Sequence, residues 1–433
     1  MALPLQMSGS AMSPFRNLLR LALAGTLALP AFGAARLTYF NNGVLIPVAW
    51  PDSSFPIRYA IDRRVIQAVP QVEAMLDRAG KDWSAIPETN LGFQSLGAVD
   101  GATAGKDGRN TISMADDLFA GQKFVALTTN WYDDSGRIIE ADMQIDPMAV
   151  SGGYNVQQLV EHEMGHILGL DHSAVLSSVM YPYVGTGAAA GLDSDDRVAI
   201  SSAYAKVKPA IGGTLEGRVY GDAGGIFAAQ VVAVNERGEP VATGLTDKSG
   251  NFSLPGIPSG TYRVYAEPLD GPVNVQNLAG YWQSAKVTSF PTQYADGGAL
   301  RVEEGHIYGN ITVNGSGVVR LNPKWIGTCA PGADLVSLQA MPAMLHAGST
   351  VTLGVGGDGF TSGMTTFAVP NPGFHRISDY KWSGNYVSAT FQIDPSTPGG
   401  SLVVMVTSGN ETAALTGAVH IEPSTRARGV KKG

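Results

Sequence analysis

The sequence predicts a multidomain protein in which one α+β unit is followed by two all-β sandwich domains. With 433 residues the chain is long for a single compact domain. Helix-like and strand-like patterns alternate up to about residue 210, and the helix signals fade beyond it. Glycine (54) and proline (25) are frequent, which is typical of turn-rich β structure.

Residues 1–35 are predicted to be a signal peptide. Arg16 and Arg20 precede the apolar run "LALAGTLALPAFGAA", which ends in small residues near Gly33–Ala35 that suit cleavage. The alternative is a retained anchor, although the run is short for a membrane span. No stable membrane span is predicted in the mature chain, so we expect a secreted protein, extracellular or periplasmic. Residues 424–433 form a basic tail that we interpret as a solvated end.

The net charge argues against a nucleic-acid-binding protein, and the cysteine count argues against a disulfide-stabilised one. A net charge of −8 argues against a nucleic-acid-binding surface, so no nucleic-acid partner is predicted. Cys329 is the single cysteine, so the chain forms no internal disulfide.

Residues 36–210 contain the elements of the α+β unit. "FPIRYAID" alternates like a strand, and Val69–Lys81 carries apolar residues at helical spacing. "TNLGFQSL" and "NTISM" are short strand candidates, and "KFVALTTNWYDDSGRIIEADMQID" predicts two strands around the turn "DDSG". "LDSDDRVAISSAYA" predicts a last helix with Asp193 as its cap.

The stretch "NVQQLVEHEMGHILG" predicts the central helix, Val156–Leu168. Its apolar residues recur at helical spacing, Asn155 can cap the start, and Gly169 can end the helix in a left-handed conformation.

Three of the seven histidines lie in or just after this helix. His162 and His166 are four residues apart and leave the same face, with Cβ atoms roughly 5–6 Å apart. Gly169 allows the chain to reverse and to return His172 to the same point. Three imidazoles leave one tetrahedral position for water, which is the arrangement of a catalytic rather than a structural zinc site.

Glu163 follows a predicted ligand, so it lies beside the metal without binding it. A carboxylate there can act as general base toward a zinc-activated water and can pass the proton to the leaving amine. The alternative is a helix whose histidines are polar surface or satisfied core groups, which does not account for Gly169 and His172 at the required offsets.

The motif "HEMGHILGLDH", with "SVMYP" downstream, resembles the metzincin zinc endopeptidases and most closely their matrixin branch. The resemblance extends over roughly residues 50–205. It implies that Met180 lies in a tight turn beneath the metal. The order Met180-Tyr181-Pro182 is similar to the matrixin form, so Tyr181 is not counted as a ligand.

The resemblance also implies a twisted sheet above a cleft, with the zinc helix below it. An edge strand from "KFVALTTNWY", or its hairpin partner, would pair with extended substrate. The segment "YPYVGTGAAAGL" would form a wall of the pocket for the side chain after the cut bond.

Two features of animal matrixins, the propeptide cysteine and the calcium sites, have no clear counterpart in this sequence. Their propeptide cysteine caps the zinc, and no cysteine precedes Cys329 here. Their calcium sites have a possible counterpart, because several carboxylates of one hairpin could supply oxygens. These are Asp133, Asp134, Glu140, Asp142 and Asp146. A polar turn with solvated carboxylates explains them equally, and we favour that interpretation.

Residues 211–316 resemble the transthyretin-like regulatory sandwich found after some carboxypeptidases, through "GTLEGRVY" and "TDKSGNFSLPGIPSGTYRVYAEP". Residues 317–423 resemble an immunoglobulin-like sandwich. A carbohydrate or surface target is possible for these domains if aromatic residues are exposed, whereas core packing is the simpler role for them. The candidates are Tyr281, Trp282, Trp325 and Trp382.

Together these features predict a secreted zinc-dependent endopeptidase that acts on protein or peptide substrates. His162, His166 and His172 would hold one zinc ion, with Glu163 as the general base. The alternative is an adhesin-like extracellular binding protein with an inactive or accessory metal domain.

Overall fold

A computed structural model describes residues 36–87, 89–115, 125–187, 190–206, 212–333 and 337–423. The predicted signal peptide and the basic tail lie outside the described residues. We refer to residues 36–206 as the first unit, 212–316 as the second unit and 317–423 as the third unit. No helix among the described residues is both long and apolar enough to cross a bilayer.

The first unit is built on a five-stranded sheet in the order β4-β3-β5-β7-β6. Its β3, β4, β5 and β7 pair in parallel, and β6 pairs antiparallel with β7 at the edge. In chain order the elements are β1 (Thr38–Asn41), β2 (Val44–Pro47), β3 (Ile57–Asp62), α1 (Arg63–Ala68), α2 (Val72–Ser84), β4 (Phe93–Val99), β5 (Asn110–Met114), β6 (Ala126–Tyr132), β7 (Ile138–Ile145), α3 (Met148–Ser151), α4 (Val156–Ile167) and α5 (Ser194–Tyr204).

The predicted central helix and its ends are confirmed. The Asn155 side chain accepts a hydrogen bond from the Gln158 backbone N–H, and α4 ends before Gly169, whose φ is +82°. A left-handed residue is the usual way for a helix to stop and the chain to turn away. Asp193 caps α5 as predicted. The helix predicted at Val69–Lys81 begins later, at Val72, because the preceding Pro70 and the left-handed Gln71 interrupt the helical path.

The apolar side of α4 and the neighbouring α2 form the core beneath the sheet. Leu159, Val160, Met164 and Ile167 of α4 are buried there. Because the apolar residues of α4 are used in this core, its remaining face carries the histidines.

The rest of the described chain is all β structure, which confirms the coarse prediction for it. The second unit has two sheets, β11-β10-β13-β14 with β15 on β13, and β12-β8-β16 with β9 on β8. Its strands are β8 (Gly213–Gly221), β9 (Gly224–Gly225), β10 (Gln230–Asn235), β11 (Pro240–Leu245), β12 (Asn251–Ile257), β13 (Gly260–Glu267), β14 (Gln293–Tyr294), β15 (Leu300–Val302) and β16 (Ile307–Asn314).

The third unit also has two sheets, β17-β19-β23-β21 with β22 on β23, and β18-β25-β24-β20. Its strands are β17 (Asn322–Cys329), β18 (Ala343–His346), β19 (Thr350–Asp358), β20 (Thr366–Ala368), β21 (Phe374–Arg376), β22 (Lys381–Ser383), β23 (Tyr386–Ile393), β24 (Gly400–Ser408) and β25 (Glu411–Glu422). The assignment of these two units to the transthyretin-like and immunoglobulin-like folds stays a prediction.

Two of the four aromatic residues proposed as possible surface contacts lie in a core. Tyr281 and Trp282 are buried in a cluster of the second unit, and the Trp282 indole N–H donates to the Thr246 carbonyl. Trp325 and Trp382 are half-buried. Core packing therefore explains the first two.

The first unit shares its core contacts with both β units. Val198 of α5 belongs to the core of the second unit, and Leu176 and Tyr181 belong to the core of the third unit. The Leu176 backbone N–H also donates to the Thr416 carbonyl on β25. The segment that follows the histidines is therefore fixed by residues far along the chain.

Candidate metal centre

The three predicted histidines meet at one point. His162 and His166 are presented by consecutive turns of α4, and the reversal at Gly169 returns His172 to the same place. One potential ligand atom from each of the three lies within 4.8 Å of the others. An alanine Cβ at position 169 would lie 2.5 Å from the Val48 carbonyl oxygen, so only glycine fits this close reversal. When the histidine, cysteine and acidic side chains of the described residues are compared, these three histidines are close enough together to hold a metal ion.

Hydrogen bonds fix which nitrogen of each ring faces the centre. The Nδ1 atoms of His162 and His166 lie 2.7 Å and 2.8 Å from the carbonyl oxygens of Val179 and Leu170. The His172 Nδ1 bonds to the carbonyl of Asn277. A carbonyl oxygen can only accept, so each Nδ1 carries the proton and each Nε2 keeps a free lone pair. This is the tautomer that ligates metals through Nε2.

The environment keeps these imidazoles neutral. Burial, with a smaller contribution from neighbouring His172, lowers the pKa of His162 to about 3. Burial first and then the two other rings lower the pKa of His166 well below its usual value, and burial also lowers the pKa of His172. At neutral pH the cluster therefore offers lone pairs rather than positive charges.

Glu163 is buried beside the histidines, with 4% of its surface exposed. Its Oε2 accepts a hydrogen bond of 2.6 Å from the Thr128 hydroxyl on the edge strand β6. Burial raises the pKa of Glu163 to about 7, and the bond from Thr128 acts in the opposite direction. A carboxyl group with such a pKa can both accept and release a proton near neutral pH.

Side chains distant in sequence bind the carbonyl groups at the end of α4, which have no partners within the helix. The Asn130 amide donates to the His166 carbonyl at 2.8 Å, and the Trp50 indole N–H donates to the Ile167 carbonyl at 2.7 Å. The Tyr204 hydroxyl donates to the Leu168 carbonyl at 2.6 Å. Sequence reasoning missed these three residues, because none belongs to a local motif.

Met180 lies in the predicted turn next to α4. It is buried, and a Cβ added at Gly165 of α4 would lie 2.2 Å from its sulfur. Asp196 of α5 holds this turn, since its carboxylate accepts from the Ser178 hydroxyl at 2.6 Å and from the Val179 backbone N–H at 2.9 Å. The sequence predicted Asp193 only as the cap of α5, and no local pattern pointed to this role of Asp196.

Four of the five acidic residues considered for calcium already accept hydrogen bonds from other groups. Glu140 accepts from the backbone N–H groups of Asp107 and Gly108, and Asp142 accepts from those of Gly105 and Thr111. Asp133 accepts from the Ser135 hydroxyl and the Arg137 guanidinium, and Asp146 accepts from the Met148 backbone N–H. This hydrogen bonding accounts for most of the cluster without calcium.

The cluster fits a zinc ion in its donor set. Three neutral imidazoles with potential ligand atoms within 4.8 Å of one another match the three protein ligands of a catalytic zinc site, which leaves a position for water. The fixed Nδ1 hydrogen bonds supply the outer contacts that zinc-binding histidines normally have.

The sequence of the first unit matches a known family. Residues 56–205 match the matrixin peptidase family. Over 150 residues the chain is 26% identical to the metalloendoproteinase 2-MMP of Arabidopsis thaliana, a match that covers 32% of the chain and 38% of the plant protein. Over 52 residues it is 44% identical to karilysin of Tannerella forsythia, covering 12% of the chain and 11% of that protein. The chain therefore spans less than two thirds of either relative.

Solved structures add no argument of their own. The major pilin subunit BcpA of Bacillus cereus is 11% identical, with 49% of the chain and 69% of the pilin covered, and its TM-score is 0.15. The assignment therefore rests on the family match and the histidine cluster, and together they support a metzincin-like metalloprotease unit of the matrixin type in residues 56–205.

Proposed function

We propose that the protein is a secreted zinc-dependent endopeptidase. The observation that carries the proposal is the convergence of three neutral, Nδ1-protonated imidazoles beside a buried glutamate. His162, His166 and His172 would hold the ion through Nε2. A structural zinc site does not need a buried carboxylate that makes no hydrogen bond to a ligand nitrogen. A hydrolytic site needs a base beside the zinc-bound water, and Glu163 can fill that role.

Zinc bound there would polarise the scissile carbonyl group and make a water molecule more acidic. Glu163 takes the proton of that water on its carboxylate and delivers it to the leaving amine nitrogen. Thr128 keeps Oε2 of Glu163 in place throughout. A bound cation would lower the pKa of Glu163 from about 7, because a nearby positive charge favours the carboxylate form. Glu163 is then ready to act as the base at neutral pH.

A peptide substrate is supported by the edge strand. Among the described strands, β6 is the last of its sheet and pairs with β7 alone, and it contributes Thr128 to the site. An extended peptide can pair antiparallel with such an edge, which would lay its backbone across the histidine cluster. The exposed Tyr183, in the segment after Met180, would form part of the wall beside the cut bond.

The export signal and the β units extend the proposal to the whole chain. Residues 1–35 would direct secretion, and the second and third units would stabilise the first unit or bind a target. Residues 1–328 contain no cysteine, so this stretch would not cap the zinc with a thiolate.

The test compares residues 36–433 with Glu163→Ala and with a matched control, Glu161→Ala. Glu161 is a buried glutamate on the same helix, and the charges that act on it are those of Asp82, Asp196, Arg78 and Arg197 rather than of the histidines. We expect about one bound zinc in all three proteins, with fragments released from a denatured protein by the wild type and the control only.

Three outcomes would contradict the proposal. Zinc in the wild type without cleavage would favour the adhesin-like binding protein, and cleavage that survives Glu163→Ala would remove the base from the mechanism. The absence of zinc in every variant would refute the metal site itself.

A further inference from the structure

A segment of the second unit reaches the histidine cluster. We call residues 274–281 the zinc-facing loop. It contains a short 3-10 turn, Val275–Asn277, which is stabilised by reciprocal hydrogen bonds between the side chains and backbones of Asn274 and Asn277. The loop lies outside residues 56–205, so the family match assigns no role to it.

The loop supplies the carbonyl group that orients His172. The Nδ1 protons of His162 and His166 are donated to Val179 and Leu170, both within the first unit. The Nδ1 proton of His172 is instead donated to Asn277, which is 105 residues further along the chain. The third histidine therefore differs from the other two in taking its orienting partner from a different unit.

A second bond connects the loop to the same histidine through Asp171. One carboxylate oxygen of Asp171 accepts from the His172 backbone N–H at 2.8 Å, and the other accepts from the Ala279 backbone N–H at 2.8 Å. Asp171 is buried, with 3% of its surface exposed, so water cannot easily replace either donor. Backbone and ring of His172 are thus both tied to the loop.

The loop is itself firmly placed. The Tyr281 backbone N–H donates to the Thr38 carbonyl at 3.1 Å. Gly280 has a φ of +61°, and a Cβ added there would lie 2.1 Å from the same carbonyl oxygen. The N-terminal hairpin β1–β2 and the second unit together fix the loop against the histidine cluster.

We propose that the zinc-facing loop is a positioning element of the metal site, which makes the second unit a part of that site. The inference rests on the proposed zinc binding. A neutral imidazole carries its proton on either nitrogen, and only the Nδ1-protonated form can ligate through Nε2. Without the Asn277 carbonyl, His172 would exchange between both forms and would rotate more freely. Contacts of this kind contribute roughly 10- to 100-fold to metal affinity.

Two full-length variants break the connection from opposite sides. Asp171→Asn replaces one of the two acceptor oxygens with a donor, so either the His172 or the Ala279 N–H group loses its partner. Gly280→Ala forces the loop away from Thr38. Gly359→Ala is the matched control in the third unit, because Gly359 also has a positive φ, +74°, and its Cβ would lie 2.2 Å from a backbone oxygen, that of Arg320.

Zinc affinity is measured by competition with a chromophoric chelator, and the melting temperature is measured on the metal-free proteins. We expect the zinc dissociation constant to rise roughly 10- to 100-fold in Asp171→Asn and Gly280→Ala. Gly359→Ala should lower the melting temperature and leave the dissociation constant unchanged. In the metal-free wild type, NMR should show a slowly exchanging Nδ1–H of His172 that is lost in Asp171→Asn.

The outcomes separate this inference from the proposed function. If the wild type binds zinc and both variants bind it equally well, the loop has no positioning role. If Gly359→Ala weakens zinc binding as much as the two test variants do, the effect is general destabilisation and the inference is wrong. If Gly280→Ala does not fold, Asp171→Asn alone decides. A wild type that binds no zinc would refute the proposed function first.

Discussion

Removing the Thr128 hydroxyl should slow hydrolysis without removing zinc. Thr128→Val keeps the β-branched shape of the side chain on β6 and deletes the donor that lies 2.6 Å from Oε2 of Glu163. A hydrogen bond to a charged group contributes about 1.5–3 kcal/mol. At about 1.4 kcal/mol per factor of ten, its loss corresponds to a fall in kcat of roughly 10- to 100-fold.

The matched control is Thr129→Val on the same strand. Its side chain points to the opposite face of β6, so the substitution has the same effect on strand propensity without touching Glu163. The assay is steady-state cleavage of an internally quenched peptide, with bound zinc measured on the same samples. KM and zinc content should stay close to the wild-type values in both variants. An unchanged kcat in Thr128→Val would refute the positioning of Glu163 by Thr128, and an equal fall in Thr129→Val would attribute the effect to the strand.

Three further predictions concern stability, pH and the metal. Gly165→Ala should lower the melting temperature, because the new methyl group would lie 2.2 Å from the Met180 sulfur. Crowding of this kind costs about 1–3 kcal/mol, which exceeds the gain of about 1 kcal/mol in helix propensity. An unchanged melting temperature would contradict this. Burial raises the pKa of Glu267 to about 8, above the 4.5 of an exposed glutamate. The stability that the protonated Glu267 adds to the fold is fully present below pH 4.5 and is lost as the pH rises through 8. Glu267→Gln has no such proton to lose, and its Oε1 can still accept from Thr416 and Gln230. The melting temperature of this variant should therefore depend less on pH between 4.5 and 8. Stripping the metal with a chelator should abolish cleavage and lower the melting temperature, and added zinc should restore both; cleavage that persists without metal would be incompatible with the mechanism.

The histidine cluster could be predicted from the sequence because the residues that define it are close together in the chain. The Asn155 side chain caps the start of α4, and Gly169, which has no Cβ, allows the left-handed conformation that ends it. Helix geometry then places His162 and His166 on one face. Only His172 required an argument about a turn, and that turn needs nothing beyond a glycine. The sequence is therefore informative at the separations that secondary structure controls, and the roles of these histidines as metal ligands stay a prediction.

The supporting residues could not be predicted, because their partners are set by tertiary packing. Thr128 looks like an ordinary strand residue, and nothing in the sequence connects it with Glu163, 35 positions later. Asn277 acts through its backbone carbonyl, which every residue possesses. One signal was available and went unused. The serines of "SAVLSSVM" and the acidic run "DSDD" are complementary hydrogen-bonding groups, and the structure pairs Ser173, Ser177 and Ser178 with Asp195, Asp193 and Asp196.

These contacts argue that the first unit does not function as a separable module. Asp195 is fully buried, and one of its oxygens accepts from both the backbone N–H and the hydroxyl of Thr243 in the second unit. Removing the second unit would leave that oxygen without these partners and would expose Val198, which packs in the second unit's core. The same truncation would remove the carbonyl that orients His172. Loss of the β units would therefore weaken the α5 end of the first unit and the proposed metal site together, so we expect the functional protein to retain them.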